Sequence, residues 1–226
     1  MRANKYGVFL TILLVILIVG ILVGLSFLVY NVVKSKNNDD RAIEAIAEFD
    51  KTVEENNDNE NEEQHEEELG NLIAPPDEST SSSTGTAKKK TYYEGFVMIG
   101  YITIPKTNVK LPILDTVTPE SLDTAVAAIY PSNPQLNEPG NVVIIGHNYR
   151  NGKFFSDNER LSIGDKVLIK DTTGRELSYT IYQKFQTSEQ DTSFYTRNTN
   201  GIAEITLSTC TDDGKERIII LAKADS

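Results

Sequence analysis

Hydrophobic and polar positions follow three rhythms along the chain. From Tyr6 to Val33 no residue is charged across 28 positions, and Leu, Ile and Val dominate. A helix rises about 1.5 Å per residue, so this run spans a hydrocarbon core of about 30 Å with tilt to spare. A secretory apolar region is only about 7–15 residues long and ends at a small-residue cleavage site. Here the run ends in Leu28-Val29-Tyr30-Asn31-Val32-Val33, without an A-x-A-like site. The pattern predicts an uncleaved N-terminal membrane anchor over residues 1–36, crossing at about 7–33, with a cleaved signal as the alternative. Residues 37–91 then lose the apolar signal. Glu, Asp and Asn dominate to Glu68, followed by Pro75-Pro76 and a Ser/Thr run. Low hydrophobicity with high charge does not repay the entropy of ordering, which predicts a disordered, flexible linker. Within it, Ile43, Ile46, Phe49 and Val53 recur at helical spacing, enough for a short juxtamembrane helix.

From Tyr92 to Ser226 the pattern is that of short strands. Phe96–Ile104 is rich in β-formers and stops at Pro105; Val109–Leu114 follows. Asn141–Ile145 is nearly continuous and apolar, as in a strand buried on both faces. Residues 167–169, 177–185, 202–207 and 217–222 complete the series, separated by turn signals such as Pro139-Gly140, Gly164-Asp165, Thr173-Gly174 and Asn200-Gly201. Thr118 reads as a helix cap before Pro119, with a short helix towards Ala127. Residues 154–161 have room for another turn or two. Many short strands with few helices predict an all-β, closed or nearly closed barrel.

Charge changes the picture of the middle segment. The chain carries 33 acidic and 22 basic residues, a net −11. Residues 1–38 hold +4, residues 39–78 hold −14, and the remainder holds −1. The acidity therefore belongs to the linker, and no basic face suited to nucleic acid is present. Anchor flanks of Arg2 and Lys5 against Lys34 and Lys36 leave the orientation undecided by the positive-inside rule. One cysteine excludes an intramolecular disulfide, and with two histidines it is too few for a closed structural zinc site.

That cysteine, Cys210, closes the run Ile205-Thr206-Leu207-Ser208-Thr209-Cys210, just before the turn at Asp213-Gly214. A lone cysteine reads either as a small buried hydrophobe or as a thiol exposed at a strand end. The next strand opens at Arg217. If the two strands form a hairpin, a guanidinium lies at the cysteine's end of the sheet, where it favours a thiolate or holds an oxyanion. His147 ends another strand, after Ile144-Ile145-Gly146, as a surface residue or as a proton carrier. Together Cys210, His147 and Arg217 supply a nucleophile, an acid/base and a fixed positive charge.

The segments Asn141–His147, Leu161-Ser162-Ile163-Gly164-Asp165 and Thr206–Cys210, then Arg217, resemble the sortases of Gram-positive bacteria. So do Ile99–Pro105 and Val109–Ile113, and the similarity runs in order over 93–223. The resemblance implies an eight-stranded sortase-like β-barrel as the catalytic domain, 92–226, and a cysteine transpeptidase. In such enzymes the cysteine attacks the Thr–Gly carbonyl of an LPXTG-like sorting signal and forms a thioacyl enzyme. An amine of a cell-wall precursor, or a pilin lysine, then resolves it. Carried over by position, Cys210 is the nucleophile, His147 the acid and base, and Arg217 the oxyanion or substrate holder. Residues 186–201 correspond to the family's specificity loop, where Phe194 and Tyr195 either line the Leu-Pro pocket or pack beneath the loop. Thr209 is expected to contact the peptide or shape the oxyanion site. No cofactor is implied; calcium, which some relatives bind, has no matching ligand set, and Asp212 and Asp213 read as solvated turn residues. The implied location is the cell membrane, single-pass, with a cytoplasmic N-terminus and an extracellular catalytic domain. The 63 positions from His147 to Cys210 are too few for the class B insert. No Asp-Pro-aromatic lid of the class C kind occurs, which leaves classes A, D and E. Two rivals stay open: a cysteine peptidase resolved by water, and a catalytically silent surface β-domain.

Overall fold

The computed structural model of the protein describes residues 5–71, 88–130 and 135–225. The chain forms two compact units, Met1–Arg41 and Ala42–Ser226. In the first, the helix α1 (Lys5–Asn71) contains Phe9–Tyr30, a stretch of 22 residues with mean hydropathy 3.3 that is long and apolar enough to cross a membrane.

The second unit is built on nine strands: β1 (Thr91–Tyr93), β2 (Phe96–Ile104), β3 (Val109–Leu114), β4 (Val126–Ile129), β5 (Gly140–Ile145), β6 (Lys166–Asp171), β7 (Glu176–Ser188), β8 (Ala203–Cys210) and β9 (Glu216–Ala224). Their order is β1-β2-β3-β4-β5-β8-β9-β7-β6, and an additional β2–β6 pairing closes the last eight into a barrel. The three-residue β1 covers the first part of β2, at Phe96–Met98, and β6 pairs with it from Gly100 to Thr103. That hand-over needs room. Gly100 sits at a register shift in β2, and a Cβ there would lie 2.3 Å from the Lys170 carbonyl oxygen. Only glycine lets the two backbones close the seam.

Alternation fills the barrel. Ile102 and Ile104, Val142 and Ile144, Val167 and Ile169, Ile205 and Leu207, and Ile218 and Ile220 meet in one core, each at most 1% exposed. The helix predicted after Thr118 forms as α2 (Pro119–Thr124), with a Thr118–Ser121 capping box. It stops short of Ala127, because residues 126–129 are drawn into the sheet between β3 and β5. Residues 154–161 contribute one 3-10 turn, Asn158–Arg160.

The middle segment departs from its composition. A flexible linker is expected over 37–91, yet α1 continues to Asn71, and its part from Ala42 belongs to the barrel's unit. Ile46, Phe49 and Val53 are 2%, 2% and 4% exposed, and they pack on Met98 and Tyr101. Ala42 and Ala45 pack on Tyr93, Leu114, Ala125 and Ala127. Ile43 is exposed instead, since it lies about 100° round the helix from the centre of that stripe. The Phe49 and Tyr101 rings meet edge to face at 6.1 Å, and Lys170 donates to Asp50 at 2.7 Å. Asn56 exchanges two 3.0 Å hydrogen bonds with the backbone of Lys89, and Asn57 donates to the Thr173 carbonyl at 3.1 Å. Over residues 40–55 the charged side chains Glu44, Glu48, Lys51 and Glu54 are exposed on the helix's other faces, while one apolar stripe is enough to dock it. Residues 72–87, with the Pro-Pro and Ser/Thr part of the expected linker, lie outside the described residues.

Removing the Phe49 ring should cost about 3–5 kcal/mol of unfolding free energy, as for a buried aromatic truncated to alanine. A fragment beginning at Asp40 should therefore show a higher urea midpoint than one beginning at Thr91. Equal midpoints would show that the docked helix adds nothing to the barrel.

Candidate active site

Strand parity decides which side chains share a surface. On β5, Val142 and Ile144 point into the barrel, so Asn141, Val143 and Ile145 point out, and the chain continues through Gly146 to His147. On β8, Ile205, Leu207 and Thr209 point in, so Thr206, Ser208 and Cys210 point out. On β9, Ile218 and Ile220 point in, so Arg217, Ile219 and Leu221 point out. Register then aligns the three. β5 and β8 run parallel with Ile145 opposite Ser208, which brings His147 to the same end as Cys210; β8 and β9 run antiparallel with Cys210 directly opposite Arg217. The hairpin that the sequence leaves conditional is present. The Arg217 guanidinium donates through Nη1 to the half-buried Cys210 Sγ.

The residue after the histidine ties the two strand ends together. Asn148 Nδ2 donates to the Cys210 carbonyl oxygen at 3.0 Å and to Asp212 Oδ1 at 2.9 Å, while Gly146 N–H donates to the Ser208 carbonyl at 3.1 Å. The imidazole itself, with its side chain 38% exposed, has a carboxylate for company: Nε2 lies 3.6 Å from Asp123 Oδ1. Among the described residues no hydrogen bond joins His147 to Cys210; Arg217 holds the sulfur and Asp123 accompanies the imidazole. Tyr149 donates its hydroxyl to the same carboxylate at 2.7 Å, and its ring lies 5.1 Å from that of His147 and 5.5 Å from that of Phe154. Partial burial, then the Asp123 carboxylate, pushes the Tyr149 hydroxyl up to about 12, so it stays a donor across the neutral range.

The remaining predicted residues separate. Thr209 faces the barrel interior at 2% exposure, and its Oγ1 has no hydrogen-bond partner among the described residues. Alternation turns its side chain away from Cys210, so a peptide contact from this position falls to its main chain. Phe194 is 5% exposed and lies on Val143, Ile219 and Leu221, with Tyr195 partly buried beside it at 4.9 Å. Phe194 thus packs beneath its own loop, and the ring that stays partly open is Tyr195. Asp213 accepts from the Thr211 hydroxyl and the Lys215 N–H, the first of which chiefly lowers its carboxyl; this is turn chemistry. Among the described residues no group of three or more His, Cys, Asp or Glu side chains is placed to hold a metal ion. Sequence reasoning misses Asp123 and Tyr149, which no motif marks, because only the fold brings α2 beside the end of β5. Asn148 had one signal, its place directly after the histidine.

Known proteins share this fold. The family model described as Sortase domain matches residues 102–225. Sortase A of Bacillus anthracis is 29% identical over 126 residues, which cover 54% of this chain and 58% of that protein. The chain thus spans under two thirds of that relative's length. The structure of a Clostridium perfringens Sortase D5 transpeptidase superposes with a TM-score of 0.58 at 25% identity, over 83% of this chain and 99% of that one. Sortase C-1 from Actinomyces oris shares the fold at a TM-score of 0.51 and 22% identity, over 56% of this chain and 73% of that one.

Two outcomes follow from the site's construction. A Cβ at Gly146 would lie 2.8 Å from Phe155 Cδ2 and Val126 Cγ1, so Gly146→Ala should destabilise by about 1–3 kcal/mol in thermal or urea unfolding. In a spectrophotometric alkaline titration, Asp123→Asn should bring the most basic exposed tyrosine down from about 12, because the carboxylate no longer opposes the phenolate; the part due to burial remains.

Proposed function

The chain belongs to the sortase family, and on that premise we propose that it is a membrane-anchored cysteine transpeptidase acting on LPXTG-like sorting signals. The observation that carries this reading is the pairing of Cys210 with Arg217 across β8 and β9, with His147 at the same end of the same outer face.

The chemistry runs in two acyl transfers. Sγ of Cys210 attacks the carbonyl carbon of the Thr–Gly bond, and the Arg217 guanidinium, already at the sulfur, stabilises the oxyanion as it forms. Collapse breaks the C–N bond, and the His147 imidazolium gives its proton to the departing glycine amine. The thioester keeps its acyl-transfer potential. An incoming primary amine attacks the same carbon, neutral His147 removes its proton, and the thiolate leaves. Atoms balance: one amide is broken, one is formed, and no cofactor is consumed. Asp123 and Tyr149 are spectators to bond making, set to hold the imidazole between turnovers.

Acyl-donor binding falls on the apolar strip beside the cysteine. Ile145, Phe185 and Tyr195 are its partly open members, and Val143, Ile219, Leu221 and Phe194 lie buried beneath them. Tyr195, with the packing of Phe194 beneath it, suits the Leu-Pro part of a sorting signal, and the backbone at Thr209 suits the residues next to the scissile bond. The apolar Phe9–Tyr30 helix serves as the anchor, with the N-terminus cytoplasmic and the barrel outside the cell. A cell-wall precursor or a pilin lysine then supplies the amine. The spacing from His147 to Cys210 argues against a class B enzyme and the lack of an Asp-Pro-aromatic lid against class C, which favours an A-, D- or E-like class.

Incubating the protein with an LPXTG-type peptide should give a covalent adduct by intact mass, absent in Cys210→Ala. An added amine should divert the acyl group into a joined product. His147→Ala should slow transfer by about 10²–10⁴-fold, the usual range for loss of an acid/base group. Hydrolysed product alone at saturating amine would make the protein a peptidase, and no adduct with any pentapeptide of a library would leave a silent β-domain.

A further inference from the structure

The loop from Glu189 to Ile202, between β7 and β8, is bolted to the barrel by one side chain. Arg197 spends both ends of its guanidinium fork on the strands beneath and its Nε on the loop itself. Nε donates to the Phe194 carbonyl at 3.3 Å. Nη1 donates to the Tyr182 hydroxyl at 2.6 Å and to the Glu204 carboxylate, and Nη2 donates to Asn141 Oδ1 at 2.8 Å and to Thr206 Oγ1 at 3.1 Å. The acceptors are themselves linked: Tyr182 donates to Glu204 at 2.8 Å, and Thr206 donates to Asn141 at 2.8 Å. Asn141 then returns its amide hydrogens to the loop, to the carbonyls of Phe194 at 3.2 Å and Tyr195 at 2.8 Å. Arg197 and Glu204 side chains are 18% and 11% exposed, so this ion pair is largely removed from water. Breaking such a pair from one side leaves a charge stranded.

The clamp's position excludes a part in bond making. Its anchors Asn141 and Thr206 precede His147 and Cys210 by six and four residues, about 20 and 13 Å along the strands at about 3.3 Å per residue. What it touches is the backbone that carries the Phe194–Tyr195 pair over the apolar outer face. We propose that Arg197, through Asn141 and Glu204, is a positioning residue that fixes this aromatic pair and thereby sets affinity and side-chain selectivity for the apolar part of the acyl donor. The proposal rests on the transpeptidase reading above, which assigns that face to the sorting signal.

The test uses the full chain in detergent with Arg197→Met and, as a milder change that keeps the shape of the network, Glu204→Gln. With an LPXTG-type peptide and saturating amine, KM should rise about tenfold or more in Arg197→Met, the loss expected for charge-assisted hydrogen bonds, while kcat stays near wild type. The penalty for replacing the peptide's Leu by Ala should shrink, and alkylation of Cys210 by iodoacetamide should keep its rate. Arg197→Lys should not rescue, because a point charge cannot span five acceptors. A fall in kcat at constant KM, or unchanged kinetics and selectivity, overturns the proposal. Hydrogen exchange needs no substrate and separates this claim from the activity: Arg197→Met, or Glu204→Gln if the first does not fold, should speed exchange across residues 191–199. Unchanged exchange overturns the clamp even if the enzyme works. A wild type inactive on every peptide with a loosened loop in the variant overturns the selectivity role and the transpeptidase reading together.

Discussion

β8 is paired on both sides, in parallel with β5 and antiparallel with β9, and side chains alternate strictly along each strand. These facts together leave little freedom. Once Ile205 and Leu207 are committed to the core, Cys210 must emerge on the outer face, and the hydrogen-bond register fixes what stands beside it. A slip of one residue in either pairing would send His147 or Arg217 to the wrong side. The register is in turn held by the barrel's closure, which passes through the crowded approach of Gly100 to Lys170 on the opposite wall.

Such a sheet would normally face water on its outside. Here both faces of its middle are covered: Val143 and Ile219 are 0% exposed although they point away from the core. The β7–β8 loop supplies that cover, and it needs a polar anchor because its own apolar contact is little more than Phe194. A largely buried arginine with five acceptors is costly to desolvate, and it is tolerated only because every donor finds an oxygen. The far side of the unit is covered differently, by the stripe of α1 on Met98 and Tyr101.

Period-two segments with strong β-formers were legible from sequence to within a residue or two, as with β2, β3 and β5. β4 was not. Val126–Ile129 is only four residues long, follows a capped helix start, and contains two alanines, so local pattern extends the helix through it. Only the vacancy between β3 and β5 makes it a strand. The docked helix was half legible: the spacing of Ile46, Phe49 and Val53 was visible, but composition argued for disorder because it averages over all faces of the helix. That Cys210, His147 and Arg217 come to one end of the sheet could be read because each lies close to a strand end beside a turn. Asp123, Tyr149 and Arg197 could not, since their roles come from contacts across 24, 26 and up to 56 residues of chain.

On the proposed mechanism, how a thioester at Cys210 would avoid water is a question of cover. The thiol is half-buried and His147 is open at its edge, so the site is a strip on a sheet and not a pit. A cleft of about 290 Å³ lies elsewhere, between Tyr130, Gln135, Asp171 and Arg175, beyond the start of β5 and therefore at the end remote from His147. Enclosure near the sulfur has to come from what lies along the strip. The β7–β8 loop gives one wall, and a bound acyl donor would give the other. On that mechanism an amine would compete with water by arriving while the peptide still covers the carbon. Partition between transfer and hydrolysis would be governed by how firmly that loop is held, a physical reason for a fully bonded arginine to sit so far from the bond that breaks.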